Sequence, residues 1–184
     1  GDCQIDGIHI HSGAGDGIEL NGSEEQQLTG DGATGKLTIN NNYGILVPPG
    51  NELTITDTLK MDGGLLDIGN NLLKLGLNTS IEEATPFSAT NMIQTNISFT
   101  DNGVQKTFPA GASSFIYPMG SGGKYTPVDF TVTANANNTG KITVKPADEM
   151  HPSIIEDLEN PDPEITDASN VLQYHWVLRA VGIS

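Results

Sequence analysis

The sequence of 184 residues predicts an all-β chain: a short β-solenoid-like (or meander) region followed by an antiparallel β-sandwich. Three observations predict it. Short runs alternate apolar and polar residues, the period of a strand with one buried face. The turns between them are built from Gly, Asn, Asp and Pro, which tolerate or impose tight backbone conformations. The pattern Leu37-Thr38-Ile39 returns as Leu53-Thr54-Ile55 and then as Leu73-Lys74-Leu75, at intervals of 16 and 20 residues. One coil of a solenoid recurs on that scale.

Each run can be justified in order. Gly17–Leu20, Lys36–Ile39, Gly44–Val47, Glu52–Thr56, Thr58–Met61, Leu65–Ile68 and Leu72–Leu75 read as strands. Asn40–Asn42, Pro48–Asn51, Asp62–Gly64 and Gly69–Asn71 read as the turns between them. Stacked coils would turn the apolar residues inward onto one another and form a continuous core from short strands. A meander also spaces its strands regularly; the solenoid is the preferred reading. Residues 1–80 are thus assigned to the solenoid-like region. Residues 81–100 read as a linker or first strand, because Ile81–Pro86 lacks periodicity and ends in proline.

From Ile97 on the runs lengthen, beginning with Asn96–Thr100, as a sandwich assigned to residues 101–184 requires. Val104–Phe108, Ser114–Tyr117, Val128–Ala134, Lys141–Lys145 and Val171–Val181 are the expected strands, with Asn135–Gly140 as a hairpin loop. Tyr174, Trp176 and Leu178 alternate on one face and are expected in the core, with Val177 on the other. Pro152–Glu159 is the one helix candidate, at one or two turns. The chain opens at Gly1-Asp2 without methionine and stops at Ser184 after a strand-like run, so both ends read as cut and the sandwich as truncated.

Composition bounds the function. Only 36% of residues are hydrophobic, and 23 acids against 8 bases give a net charge of −15. That surface repels nucleic-acid phosphates and anionic membranes. No apolar stretch is long enough to span a bilayer as a helix. The lone Cys3 cannot form an internal disulfide; it would pair with an upstream cysteine or stay free.

Several residues are candidates for chemistry. Asp2, Asp6, Asp16 and Asp31, or Asp62, Asp67 and Asn70, could offer hard oxygen ligands to calcium; Asp16, Asp31, Asp62 and Asp67 are the selected set. Asp and Asn are also good turn residues. A second acidic cluster comprises Asp148, Glu149, Glu156, Asp157, Glu159, Asp162 and Glu164. His9 and His11 share a strand face and could share a metal, although a polar face explains them as well. Tyr125 and Trp176, with Tyr174, Tyr117 and Phe115, could stack on sugars. No nucleophile elbow, metalloprotease helix or phosphate loop occurs, and Ser113 and Ser114 have no triad partners. With 23 acids, a carboxylate pair at glycosidase spacing carries no signal.

One resemblance ties these pieces together. Thr107-Phe108-Pro109-Ala110-Gly111, Phe115-Ile116-Tyr117-Pro118-Met119-Gly120 and Lys124-Tyr125-Thr126-Pro127-Val128 follow one another. They are similar to the segment that begins a β-sandwich in large secreted, gliding-adhesin-like surface proteins of Bacteroidetes. Gln26–Gly32, Leu37–Asn41 and Leu59–Asn71 resemble the solenoid-like repeat of those proteins, and Gln173–Leu178 their aromatic strand. The resemblance implies a parent chain exported by the type IX system and displayed extracellularly, at the cell surface. The expected function is a structural or adhesive module without catalysis of its own. The alternative is a calcium-dependent carbohydrate-binding accessory domain of a surface polysaccharide-processing protein. Expected partners are other domains of the parent chain, surface glycans or secretion machinery.

Overall fold

The computed structural model describes residues 1–9, 17–96, 98–137, 139–151 and 171–184. Among them there is no helix, and the strands form a solenoid-like stack of about five turns. The helix candidate Pro152–Glu159 lies outside the described residues.

Three parallel faces build the stack. On the first, β1 (Cys3–Gln4), β4 (Gln26–Thr29), β6 (Ile45–Leu46), β8 (Leu66–Gly69), β11 (Ile93–Thr95) and β14 (Met119–Ser121) pair in that order. The second comprises β2 (Ile8–His9), the first part of β5 (Ala33–Asn40), the first part of β7 (Glu52–Gly63), β9 (Leu72–Leu75) and β12 (Gly103–Pro109). The third comprises β3 (Ile18–Leu20), the later parts of β5 and β7, and β10 (Ser80–Glu83). β5 and β7 therefore serve two faces each. The register between them breaks between Thr34 and Lys36, and Thr56 and Asp57 of β7 stand exposed at that corner.

The stack decides between solenoid and meander, because its neighbours are parallel and each face takes one strand per coil. It also changes the register read from the repeat. Leu53 does stack on Leu73, but Leu37 stacks on Leu59 and Ile39 on Met61. The two Leu-Thr-Ile runs are alike yet lie on different faces, since a corner separates the two halves of β7. Inward residues form apolar rows. Ile45, Leu66, Ile93 and Met119 make the row of the first face, each at most 1% exposed.

Residues 81–100 carry β10 and β11, and parallel pairing continues to Ser121. The antiparallel part is built onto the stack. β17 (Thr139–Ala147) pairs with β12, and β18 (His175–Val181) pairs with β17. β13 (Ser113–Tyr117) and β16 (Val128–Val132) form a separate two-stranded sheet. β15 (Lys124–Tyr125) closes the first face by antiparallel pairing with β14. Phe108 of β12 meets Phe115 and Phe130, each with ring centroids 6.4 Å apart, which joins the two layers. Tyr117 is fully buried and donates its hydroxyl to the Ile142 carbonyl at 3.0 Å.

Two sequence expectations fail in this part. The strands expected to flank a hairpin loop at Asn135–Gly140, β16 and β17, do not pair; they belong to different sheets. Val132 and Ile142, from these different sheets, both enter the core. Trp176 and Leu178 are not core residues; they are 42% and 48% exposed. β18 is the outer strand of its sheet, and no described strand lies beyond it.

Corners need polar satisfaction, because their backbone groups have no ladder partner. Asn71 supplies it from inside the stack. Its carbonyl oxygen accepts from Gly50 N at 3.0 Å and Asn51 N at 3.2 Å, and its amide donates to the Val47 and Pro48 carbonyls at 2.9 Å. One buried side chain thus serves four backbone groups of the previous coil. Gly64 is required for a different reason: φ is +98°, and a Cβ there would lie 1.9 Å from the Asn41 carbonyl oxygen. We expect Asn71→Ala to lower stability in urea melts by about 1–3 kcal/mol, the cost of orphaning buried polar groups. The exposed neighbour Asn70→Ala should stay within about 0.5 kcal/mol.

A candidate binding groove

The calcium candidates are dispersed. Asp16 lies outside the described residues. Asp31 sits in the turn between β4 and β5, where its Oδ1 accepts from Glu52 N at 2.8 Å. Asp62, on β7, pairs through Oδ2 with Lys60 Nζ at 2.7 Å, and its Oδ1 is buried without a hydrogen-bond partner among the described residues. Asp67, on β8, accepts from Gly69 N at 2.9 Å and from the Gln94 side chain at 2.8 Å. Among the described residues no three His, Cys, Asp or Glu side chains gather as a metal group. Calcium takes about six to eight oxygens, and these three carboxylates act in separate local bonds.

The other candidates divide similarly. Asp2 accepts from Gln27 N at 2.9 Å, and Asp6 from the Gln4 side chain at 2.5 Å. The Asn70 carbonyl accepts from Asn102 N at 3.3 Å. His9 ends β2, while His11 lies outside the described residues. Of the second acidic cluster, Asp148 pairs with Lys124 at 2.6 Å, and the Glu149 carboxylate accepts from Phe99 N. Glu156, Asp157, Glu159, Asp162 and Glu164 lie outside the described residues. Cys3 is a free, partly buried thiol, which burial pushes above its ordinary range.

The two aromatic candidates part company. Trp176 donates its indole N–H to the Thr126 carbonyl at 3.2 Å and meets Tyr174 edge-on at 5.4 Å. Tyr125 instead stacks against Phe87, with centroids 6.4 Å apart. Tyr125 and Phe87 stand at one side of a groove of about 780 Å³, and Trp176 does not line it.

The groove lies where the stack meets the antiparallel part. β10 forms one wall through Ser80, Ile81 and Glu83; β13 forms the other through Ser113, Phe115 and Ile116. Lys106 and Phe108 of β12 also line it. Ser113 adds a buried hydroxyl without a hydrogen-bond partner among the described residues. A second pocket, at Asp101, Lys145 and Arg179, is smaller, about 230 Å³.

Lys106 is the groove's unusual group. Val104, Lys106 and Phe108 are the inward residues of β12, so a lysine occupies a core register. It is 6% exposed. Its Nζ donates to the carbonyls of Gly76 at 2.5 Å and Leu77 at 2.8 Å, and lies 5.4 Å from the centre of the Phe115 ring. Burial pushes its ammonium down to about 8. The sequence carried a signal for it, a charged residue at an inward position of an alternating strand. Phe87 and the edge of β10 carried none, because only stacking brings them beside β13.

No protein family, curated protein or solved structure matches this chain.

The Lys106 shift has a definite consequence for stability. Below pH about 8 the ammonium is charged both folded and unfolded, and the folded state bears its burial cost in full. Between about 8 and the ordinary 10.5 the unfolded chain holds the proton that the folded chain has released, so Lys106 contributes a rising stability. Urea melts of the unaltered chain across that window should show this rise, and melts of Lys106→Met should lack it.

Proposed function

We propose that this chain is a structural or adhesive module of a large secreted bacterial cell-surface protein, working by holding a shape and presenting a surface rather than by catalysis. One observation supports it most: side chains of one coil repeatedly clamp the backbone of the neighbouring coil. Asp31 accepts from Glu52 N, Asn51 from Gly30 N at 2.6 Å, and Asn71 from Gly50 and Asn51. Thr79 donates to the Ile55 carbonyl at 2.7 Å, and Thr56 to that of Thr34 at 3.3 Å. These polar groups are spent on rigidity between coils. The charge of −15 suits a hydrated exterior that resists nonspecific association.

A sugar platform made by Tyr125 and Trp176 together has less support, since one ring faces the groove and the other lies at the β18 edge. The surface assignment and the mechanical one are tested separately. An antibody raised against the chain should label intact cells of the source organism; labelling only after permeabilisation would remove the surface role. In single-molecule pulling between Gly1 and Ser184, a clamped stack should give discrete rupture steps. Smooth extension at low force would remove the structural role.

A further inference from the structure

The third face of the stack stops early. β3, the later parts of β5 and β7, and β10 follow one another on it, and among the described residues β10 has a strand neighbour on one side only. In the next coil the chain passes from β12 into β13, which pairs with β16 and not with β10. The groove is the space left between the two strands.

The direction of the β10 backbone follows from one bond. Ala84 N donates to the Met61 carbonyl at 3.3 Å. Peptide groups alternate in direction along a strand, so the amides of Ser80 and Glu82 also turn toward β7. Those of Ile81 and Glu83 turn away from it, with their carbonyls, on the side where β10 has no strand neighbour. Ile81 and Glu83 both line the groove. An unpaired edge of this kind is a template for an added strand.

The surroundings define what such a strand must carry. Side chains turned into the groove would meet Ile81, Phe115, Phe87 and Tyr125, which calls for apolar residues. Glu82 occupies the outer face of β10, and the exposed carboxylates Glu83 and Asp129 stand among the groove-lining residues. Lys60, the register partner of Glu82 on β7, is paired with Asp62, and Lys106 is engaged with two carbonyls. With a chain charge of −15, the favoured outer face is basic. The four residues of β10 span about 13 Å, room for about four partner residues.

We propose that the open edge of β10 binds an extended peptide strand from a partner, apolar on the face turned into the groove and basic on the other, by β-strand addition. The site does not depend on where the parent protein is displayed. A glycan would use the rings but has no need of the paired N–H and C=O groups of Ile81 and Glu83, and this favours a peptide.

The test uses the full chain and a fluorescent heptapeptide of alternating lysine and valine. Saturable binding is expected by anisotropy, with the amides of Ile81 and Glu83 gaining protection from hydrogen exchange. Glu83→Pro removes one outward N–H while leaving the bonds to β7 in place, and it should weaken binding by about tenfold or more. A peptide N-methylated at alternate amides should lose affinity similarly against the unaltered protein, an arm that holds even if Glu83→Pro fails to fold. Three results would overturn the proposal. One is no binding up to about 1 mM peptide. Another is binding indifferent to N-methylation, which would indicate charge attraction alone. The third is an edge occupied otherwise: by a glycan whose binding depends on Tyr125, or by a second copy in a self-association that excludes the peptide.

Discussion

Parallel backbone pairing between successive coils is the interaction on which the rest of this molecule depends. In such a stack a strand of two to four residues, such as β6 or β8, has too few bonds to persist alone. It persists because the strands before and after it supply both edges, and because its inward side chain lies in a row with theirs. Ile45 is held by Gln26 on one side and Leu66 on the other, and Leu66 by Ile45 and Ile93. The same geometry creates a difficulty at every corner, where the chain turns and the ladder lapses. Buried Asn41 and Asn71 solve it by reaching the backbone of their own or the previous coil. A corner asparagine is therefore part of the stacking interaction and not a decoration of the turn.

This division of labour accounts for the fate of the acidic residues. Asp31 and Asp67 occupy turn and strand positions where a short carboxylate can accept a backbone N–H, and that is how they are used. The net charge is carried by a surface whose ion pairs are few. Three are formed among the described residues, Lys60–Asp62, Lys74–Glu52 and Lys124–Asp148. Such exposed pairs contribute little to stability, and the apolar rows must supply most of it. Lys106 is the departure from this pattern, a cation placed in an inward register. It ties the turn at Gly76 and Leu77 to β12 at the point where the stack changes from parallel to antiparallel growth.

That change of growth mode explains the groove. The first and second faces both extend past Glu83, through β11 and β14 and through β12. The third does not, because the chain after β12 enters a separate two-stranded sheet whose Phe115 and Phe130 pack on Phe108. Stacking on two faces but not on the third leaves an edge exposed beside an apolar hollow. A surface feature suited to recognition thus arises from a mismatch between two modes of sheet extension.

The sequence alone determined that the chain is all-β and which residues of its early strands face inward; it favoured coils over a meander, and the parallel pairing decided it. Alternation and turn chemistry are local properties, and they sufficed for Leu53, Ile55, Leu73 and Leu75. Tertiary structure decided the register. The Leu-Thr-Ile runs at 37 and 53 look like one repeat, but a two-residue corner in β7 places them on different faces, and a corner of that kind has no compositional mark. It also decided that β16 and β17 do not pair, since a polar loop reads the same whether its flanking strands pair or not. Of the candidate aromatic residues, Tyr125 and Phe115 belong to the groove, and Trp176 stands exposed on an outer strand although its alternation matched a core strand. Periodicity reports which residues share a face; only the packing of distant elements determines whether that face is covered.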